Sequence, residues 1–330
     1  MIDRRTALII AGLILLSLVV FLLSICLGSE FISPADVIRT MLGQGTEQHA
    51  LVLGVFRLPR MIVALLAGAA LAVSGAILQG IVRNPLASPD VIGISGGAST
   101  AAVIFITYFA GTVSIHWLPL AAFAGAGLVS LVVYLLAWHS GVTPTRLVLI
   151  GIGISAVTGA LTMLMVTISS AKSAGQAYIW MAGSVYGSSW SNVLTLLPWV
   201  AIFIPLACIY ARHITVQELG DDVAMGLGSP LQHHRAMLLF ISVALAGSAV
   251  AVAGAIGFVG LVAPHMARKL AGTSFGGLIP AAALIGGLVV LLADTLGRTA
   301  FLPKDIPAGV FTAAVGAPFF IYLLYRNRNK

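Results

Sequence analysis

The chain has 330 residues, of which 59% are hydrophobic and only 8% are charged. This composition excludes an ordinary soluble enzyme or binding domain, because most of the length suits the hydrocarbon core of a bilayer. The formal net charge is +7, but the basic residues are scattered at the ends of apolar segments and never form a run. Such spacing is typical of a membrane orientation signal and argues against nucleic-acid binding.

Apolar segments long enough to span a bilayer follow one another along the whole chain, with no polar domain between them. We therefore predict an all-α, polytopic membrane protein in which residues 1–330 form a single domain. The run 236–271 is either one long tilted helix or two helices with a tight turn near Gly254 and Gly257. Taking it as two helices, the predicted spans are about 7–27, 61–82, 91–110, 117–138, 146–168, 193–211, 236–255, 257–271, 279–296 and 306–325.

The distribution of basic residues predicts the orientation of these ten spans. With a cytoplasmic N-terminus, eleven Lys and Arg residues fall on the cytoplasmic side and six fall outside. This bias follows the positive-inside rule, whereas nine spans would place the basic C-terminus outside. We expect both termini in the cytoplasm.

Three arginines go against this bias. Arg57 and Arg60 lie where the second span begins, and Arg298 lies where the ninth span ends. Each could extend its charge to the lipid phosphates. Together they would form a basic outer rim that suits the carboxylates of an external partner.

Asn84 and Pro85 interrupt the chain at the inner end of the second span. Proline cannot continue the helix, and the asparagine side chain can bond the freed backbone groups. The break is either a hinge or gate, or simply a helix stop.

The longest predicted cytoplasmic loop lies between Arg212 and Arg235. Thr215 and Glu218 have the spacing of a capping box, and a short amphipathic helix is predicted to follow and to end between Gly226 and Pro230. The helix could lie on lipid, but its acidic residues disfavour an anionic membrane surface. We predict that it docks a protein.

Residues 68–77 recur as residues 247–256, and at the same offset Pro85 matches Pro264. Small residues are common in membrane helices, so such a match can also arise by chance. If the repeat is real, an odd number of spans separates its copies, and the units 61–168 and 236–325 are inverted in the membrane. Inverted repeats broken by Pro and Gly are typical of transporters.

The sequence contains no catalytic constellation. Neither a phosphate-binding loop nor Cys and His residues at metal-binding spacing occur, so we predict no enzymatic activity, no metal site and no cofactor. Any step driven by nucleotide hydrolysis would require a partner.

Several motifs, in a fixed order along nearly the whole chain, resemble the permease subunits of bacterial ATP-binding-cassette importers for iron-siderophore complexes, haem and cobalamin, the FecCD-type family. The motifs are Arg57-Leu58-Pro59-Arg60, residues 83–89, Leu219-Gly220-Asp221 with residues 224–228, residues 257–268 and residues 316–320.

The resemblance implies a type II importer permease fold with ten helices, a second permease subunit of the same or a related chain, two cytoplasmic ATP-binding subunits and an extracellular or periplasmic substrate-binding protein. It implies that the chain lies in a bacterial cytoplasmic (inner) membrane, and that the cargo is delivered by the binding protein and crosses by alternating access. It also implies that Arg57, Arg60 and Arg298 dock the binding protein. The cytoplasmic gate would include Asn84, Leu86, Pro144 and Thr145. The coupling helix to the ATPase would span about 215–228 and include Thr215, Glu218, Leu219, Gly220, Asp221, Ala224, Met225, Gly226, Leu227 and Gly228.

A secondary transporter driven by an ion gradient is the alternative, since it also uses inverted repeats and broken helices. It would require carboxylates within the membrane for coupling, and Asp294 is the clear candidate in the sequence. A passive scaffold has little use for an internal repeat. Co-purification with an ATPase subunit distinguishes these classes.

Overall fold

The computed structural model describes residues 3–28, 30–109 and 111–327, and this part of the chain is helical with no β-strand. The all-α prediction is therefore confirmed. The helices are α1 (Arg4–Cys26), α2 (Pro34–Met41), α3 (Glu47–Leu51), α4 (Leu58–Val82), α5 (Ile94–Tyr108), α6 (Leu118–Ala137), α7 (Pro144–Ile168), α8 (Ala171–Met181), α9 (Trp190–Glu218), α10 (Asp221–Gly226), α11 (Leu231–Ala253), α12 (Val259–Ala271), α13 (Phe275–Thr299) and α14 (Ala308–Asn327). One π-helical turn, Val52–Arg57, leads into α4.

Each of the ten predicted spans corresponds to a helix, but the ten differ in length. Within the described residues, eight helical segments are long and apolar enough to cross a membrane. The other two, α5 and α12, have 15 and 13 residues. The run 236–271 is two helices, because the chain breaks between Gly254 and Phe258, both of which have positive φ.

Helix α4 defines the two ends of the bundle, which we call the Arg60 end and the Arg83 end. Helix α1 finishes at the Arg60 end, where the carbonyls of Ile25 and Cys26 accept hydrogen bonds from Arg57. Helix α12 finishes at the Arg83 end, where Ala271 lies against Thr6 at the start of α1.

The core of the bundle surrounds α4. Every residue from Ala70 to Ile81 is buried, and α11, α12 and α13 all pack against this helix. Small residues allow the close approach: a side chain on Gly68 would meet the backbone of Gly286, and one on Gly75 would meet the backbone of Gly260. Glycine at helix crossings is a usual means of close packing in membranes, where lipid supplies little hydrophobic driving force.

The two short helices begin in the middle of the bundle. Gly260, at the start of α12, lies against the Leu71 carbonyl of α4 and the ring of Pro89. Pro89 comes six residues after Arg83 and yet lies beside the middle of α4, so the chain turns back into the bundle before α5. From there α5 leads to the Arg60 end and α12 to the Arg83 end.

Helices α4–α7 and α11–α14 follow the same order of one long, one short and two long helices. Helix α4 runs towards the Arg83 end, whereas α11 starts there. This arrangement is what an inverted repeat of residues 61–168 and 236–325 would produce. The repeat and its boundaries stay a prediction.

The predicted capping box at Thr215 is wrong. Helix α9 continues through Glu218, and the Thr215 hydroxyl donates back to the Ala211 carbonyl at 3.2 Å in the manner of a mid-helix threonine. The chain turns at Gly220, with φ of 115°, and α10 begins at Asp221. The segment about 215–228 is therefore the end of one long helix followed by a short separate one.

Candidate functional site

Arg60 lies at the centre of a buried ionic network at the Arg60 end. Its Nε donates to Asp294 Oδ1 at 2.8 Å, and its Nη1 and Nη2 donate to the two oxygens of Asp305 at 2.6 and 2.8 Å. The residue is only 9% exposed. One guanidinium thus joins α4, α13 and the loop that precedes α14.

Arg57 and Arg298 are buried beside this network. Arg57 donates to the carbonyls of Ile25, Cys26 and Glu30, and it fixes the chain after α1. Arg298 donates to the Ser24 carbonyl at 2.6 Å and lies 3.7 Å from Asp294. The structure brings the three predicted docking arginines together, but it buries them against groups of this chain instead of exposing a basic rim.

Asp294 was the candidate carboxylate for ion coupling. It is 1% exposed and lies within 4 Å of two arginines, Arg60 and Arg298. A carboxylate held by two guanidiniums does not offer a free binding site for a coupling ion.

At the Arg83 end, α10 and its flanks present an apolar surface. The side chains of Leu219, Val223, Met225 and Leu227 are between 48% and 66% exposed, whereas Ala224 faces inward and is fully buried. Exposed apolar side chains that are grouped in this way are typical of a surface that contacts a protein or a membrane. We call these four exposed side chains the α10 patch.

Asp221, the first residue of α10, pairs with two arginines. Its Oδ1 accepts from Arg83, which follows α4, and from Arg235 Nη2 at 2.8 Å. Arg83 also donates from Nε to the Gln217 carbonyl at 2.8 Å. Burial, together with the nearby Arg235 charge, lowers the pKa of the Arg83 guanidinium.

Nothing in the local sequence singles out Arg235. It reads as a solvated basic residue at a helix start, but it is fully buried and donates to both Asp221 and the Val142 carbonyl. Burial of an arginine depends on tertiary packing, which has no local signal in the sequence.

Three of the four predicted gate residues lie together. Asn84, Pro144 and Thr145 line one cleft of about 370 Å³, with Arg83, Val82, Val148 and Leu149 as the other lining residues. Asn84 Oδ1 accepts from the Leu86 backbone N–H at 2.9 Å, as expected for an asparagine that bonds freed backbone groups. Leu86 itself does not line this cleft.

The described residues contain no group of three or more His, Cys, Asp or Glu side chains arranged to hold a metal ion. The arrangement instead offers buried ionic clusters at both ends of an apolar bundle, broken helices between them and an exposed apolar patch. These features define a polytopic membrane transport protein.

The chain belongs to the FecCD transport family, whose model matches residues 15–326. This is a family of transport permease subunits, not of enzymes. The chain is 49% identical over 333 residues to the probable siderophore transport system permease protein YfhA of Bacillus subtilis, covering 99% of this chain and 97% of the relative. It is 48% identical to the achromobactin transport system permease protein CbrC of Dickeya dadantii, covering 96% and 90%.

Among solved structures, the fold matches an inward-facing structure described as an ABC transporter of the metal-chelate type. The TM-score is 0.87, the identity is 30%, and the match covers 96% of this chain and 99% of that chain.

Proposed function

We propose that this chain is the permease subunit of an ATP-binding-cassette importer for an iron-siderophore complex. An external binding protein delivers the complex, and separate ATPase subunits drive alternating access between outward- and inward-open states. The observation that carries the proposal is the exposed α10 patch, in a chain of the FecCD transport family. The patch lies beside the cleft lined by Asn84, Pro144 and Thr145, which we call the gate cleft. The siderophore relatives support the choice of cargo over haem or cobalamin.

The proposal places the Arg83 end in the cytoplasm, with both termini on that side of a bacterial inner membrane. Arg4, Arg5 and Lys269 lie around one surface depression at this end. Arg83 and Arg235 lie at the same end, so the basic residues gather where the positive-inside rule expects them.

An ion-coupled secondary transporter is less well supported. It needs a carboxylate within the membrane that can exchange its partner during the cycle. Asp294 is instead held by Arg60 and Arg298.

Purification of the tagged chain from a strain that encodes the complete system tests the proposal. We expect an ATP-binding subunit to co-purify, and substitution of Leu219 and Leu227 by aspartate to reduce its recovery at least tenfold, because the α10 patch would lose its apolar character. Leu42→Asp is the matched control, since Leu42 is as exposed as Leu227 but lies after α2. Full recovery with both substitutions would argue against docking at α10.

Transport itself is measured in a strain lacking this chain. We expect the chain to restore uptake of a radiolabelled ferric siderophore, assayed beside ferric citrate, haem and cobalamin. Restoration of haem or cobalamin uptake alone would reject the iron-siderophore assignment.

We also propose that Arg57, Arg60 and Arg298 support docking of the binding protein. Charge reversal at both Arg57 and Arg60 should weaken binding-protein association and uptake while leaving the ATPase subunit bound. Since both side chains are buried and paired, association must be measured at a temperature where the variant is shown to be folded. Unchanged uptake by a folded variant would count against the docking role.

A further inference from the structure

A single carboxylate contacts both walls of the gate cleft through arginines. Asp221 opens α10 and accepts from Arg83 and Arg235. The Asp221 side chain is 27% exposed, whereas that of Arg235 is 1% exposed, so the pair reaches from the surface into the bundle.

Arg83 connects Asp221 to the wall of the gate cleft that contains Asn84. Arg83 follows the last residue of α4 with a left-handed backbone, φ 55°, and its guanidinium donates to both Asp221 and the Gln217 carbonyl. Arg83 and Asn84 are adjacent in the chain and line the same cleft. A displacement of Asp221 therefore acts directly on the residue that sets the turn after α4.

Arg235 connects Asp221 to the opposite wall, which contains Pro144 and Thr145. Arg235 donates to the Val142 carbonyl, and the Val142 N–H donates to Gln232 Oε1 at 2.9 Å. Val142 lies two residues before Pro144, which with Thr145 forms the second wall of the cleft. The segment between α6 and α7 is thus held by α11, and α11 is held by Asp221.

The network is incompletely satisfied in this conformation. Among the described residues, neither end of the fully buried Gln217 amide has a hydrogen-bond partner, and Arg235 Nε has none. Buried polar groups without partners are costly and uncommon. A cluster that keeps some of them is suited to a second arrangement in which other bonds form, as alternating access requires.

We propose that Asp221 is the positioning residue that transmits movement of α10 to both walls of the gate cleft, through Arg83 to Asn84 and through Arg235 to Val142. This inference rests on the proposed function, because it takes α10 as the docking site of the ATPase. It assigns the α10 patch to binding of the ATPase and Asp221 to transmission.

The test follows the accessibility of the cleft in the purified complex with its ATPase. A cysteine replaces Leu149, which lines the cleft and is 65% exposed, after both native cysteines are replaced by alanine. Its reaction rate with a maleimide is measured with and without ATP under conditions that prevent hydrolysis. We expect ATP to change the rate at least fivefold in the otherwise native complex.

Asp221→Asn keeps the size of the side chain but removes its charge, and it should abolish the ATP response while the ATPase stays bound. Asp221→Glu should restore at least half of the response. Asp222→Asn is the matched control: it removes the exposed neighbouring carboxylate, which forms no ion pair within the described residues and acts on Arg83 only through its charge, and it should respond fully. Arg83→Gln, at a partly exposed position, breaks only the connection to Asn84 and should reduce the response, because the connection through Arg235 remains.

A full ATP response in Asp221→Asn or in Arg83→Gln would overturn the proposal, and so would failure of Asp221→Glu to restore it. The Arg83→Gln result decides the matter if the Asp221→Asn complex does not assemble. A native complex that binds no ATPase would instead reject the proposed function, so the two failures are distinguishable.

Discussion

Arg60→Ala is expected to lower the free energy of unfolding by about 3–5 kcal/mol, because it leaves a buried carboxylate without its main partner. Asp294 is 1% exposed and would retain only Arg298, at 3.7 Å. Asp305 would lose both of its hydrogen bonds from the same guanidinium. The loss extends over three segments of the bundle, so the effect should exceed that of an ordinary surface arginine.

Thermal unfolding of the detergent-solubilised chain measures this effect. Arg39→Ala is the control, since Arg39 is also an arginine paired with an aspartate, Asp36, but at 3.8 Å and with its side chain 68% exposed. An exposed pair of this kind contributes about 0–1 kcal/mol. Equal small effects at the two positions would mean that Asp294 is not charged and buried as the structure has it.

If a binding protein docks at the Arg60 end, as proposed, the same network would connect stability to docking. Any binding-protein carboxylate that reached Arg60 would compete with Asp294 and Asp305 for one guanidinium. Docking would then loosen the joint between α4, α13 and the loop before α14. This route would carry a signal from the Arg60 end into the same helix, α4, that ends at Arg83.

The spans could be predicted from the sequence because long apolar segments have few alternatives to crossing a bilayer. The cap of α2 is also local: Ser33 accepts a hydrogen bond from the Asp36 N–H, and Pro34 lies in the first turn, where both residue types are favoured. The start of α10 was mispredicted, because Thr215 and Glu218 have the spacing of a cap while the long helix simply continues.

The burial of the charged residues could not be predicted from the sequence. Arg60 and Asp294 are 234 residues apart in the chain, and Arg83 and Asp221 are 138 apart. Such pairs depend on which helices meet, which the apolar pattern does not specify. Only the resemblance to a family predicted that Asn84, Pro144 and Thr145 lie near one another. No property of their local sequence indicates it.

No local sequence pattern predicts that the chain turns back into the bundle before α5. The glycines that allow this close packing can nevertheless be read from the sequence. Gly75 and Gly260 mark the level at which α12 begins against α4. The sequence shows that both positions are small. Only the fold shows that each helix backbone occupies the space where a side chain on the other would lie.

Gly75→Ala is expected to destabilise the bundle by about 1–3 kcal/mol, because the added methyl group would overlap the Gly260 backbone carbonyl. No side chain can move aside to make room, so α4 and α12 must separate. Helix α12 starts beside Pro89, so their separation would also disturb the entry of the chain into α5.

Gly127→Ala provides a control of opposite sign. Gly127 lies in α6, and beyond the adjoining backbone of its own helix a methyl group there would meet no described atom within 4 Å. Alanine is favoured over glycine in a helix by about 1 kcal/mol, so this variant should be as stable as the native chain or more so. The unfolding temperature of each variant is measured in detergent. The comparison distinguishes the effect of steric overlap at Gly75 from the effect of helix propensity, which is the same at both positions. If Gly75→Ala were as stable as Gly127→Ala, α12 would be free to shift along or away from α4, and the level at which the two short helices begin would be set by their loops instead of by glycine packing.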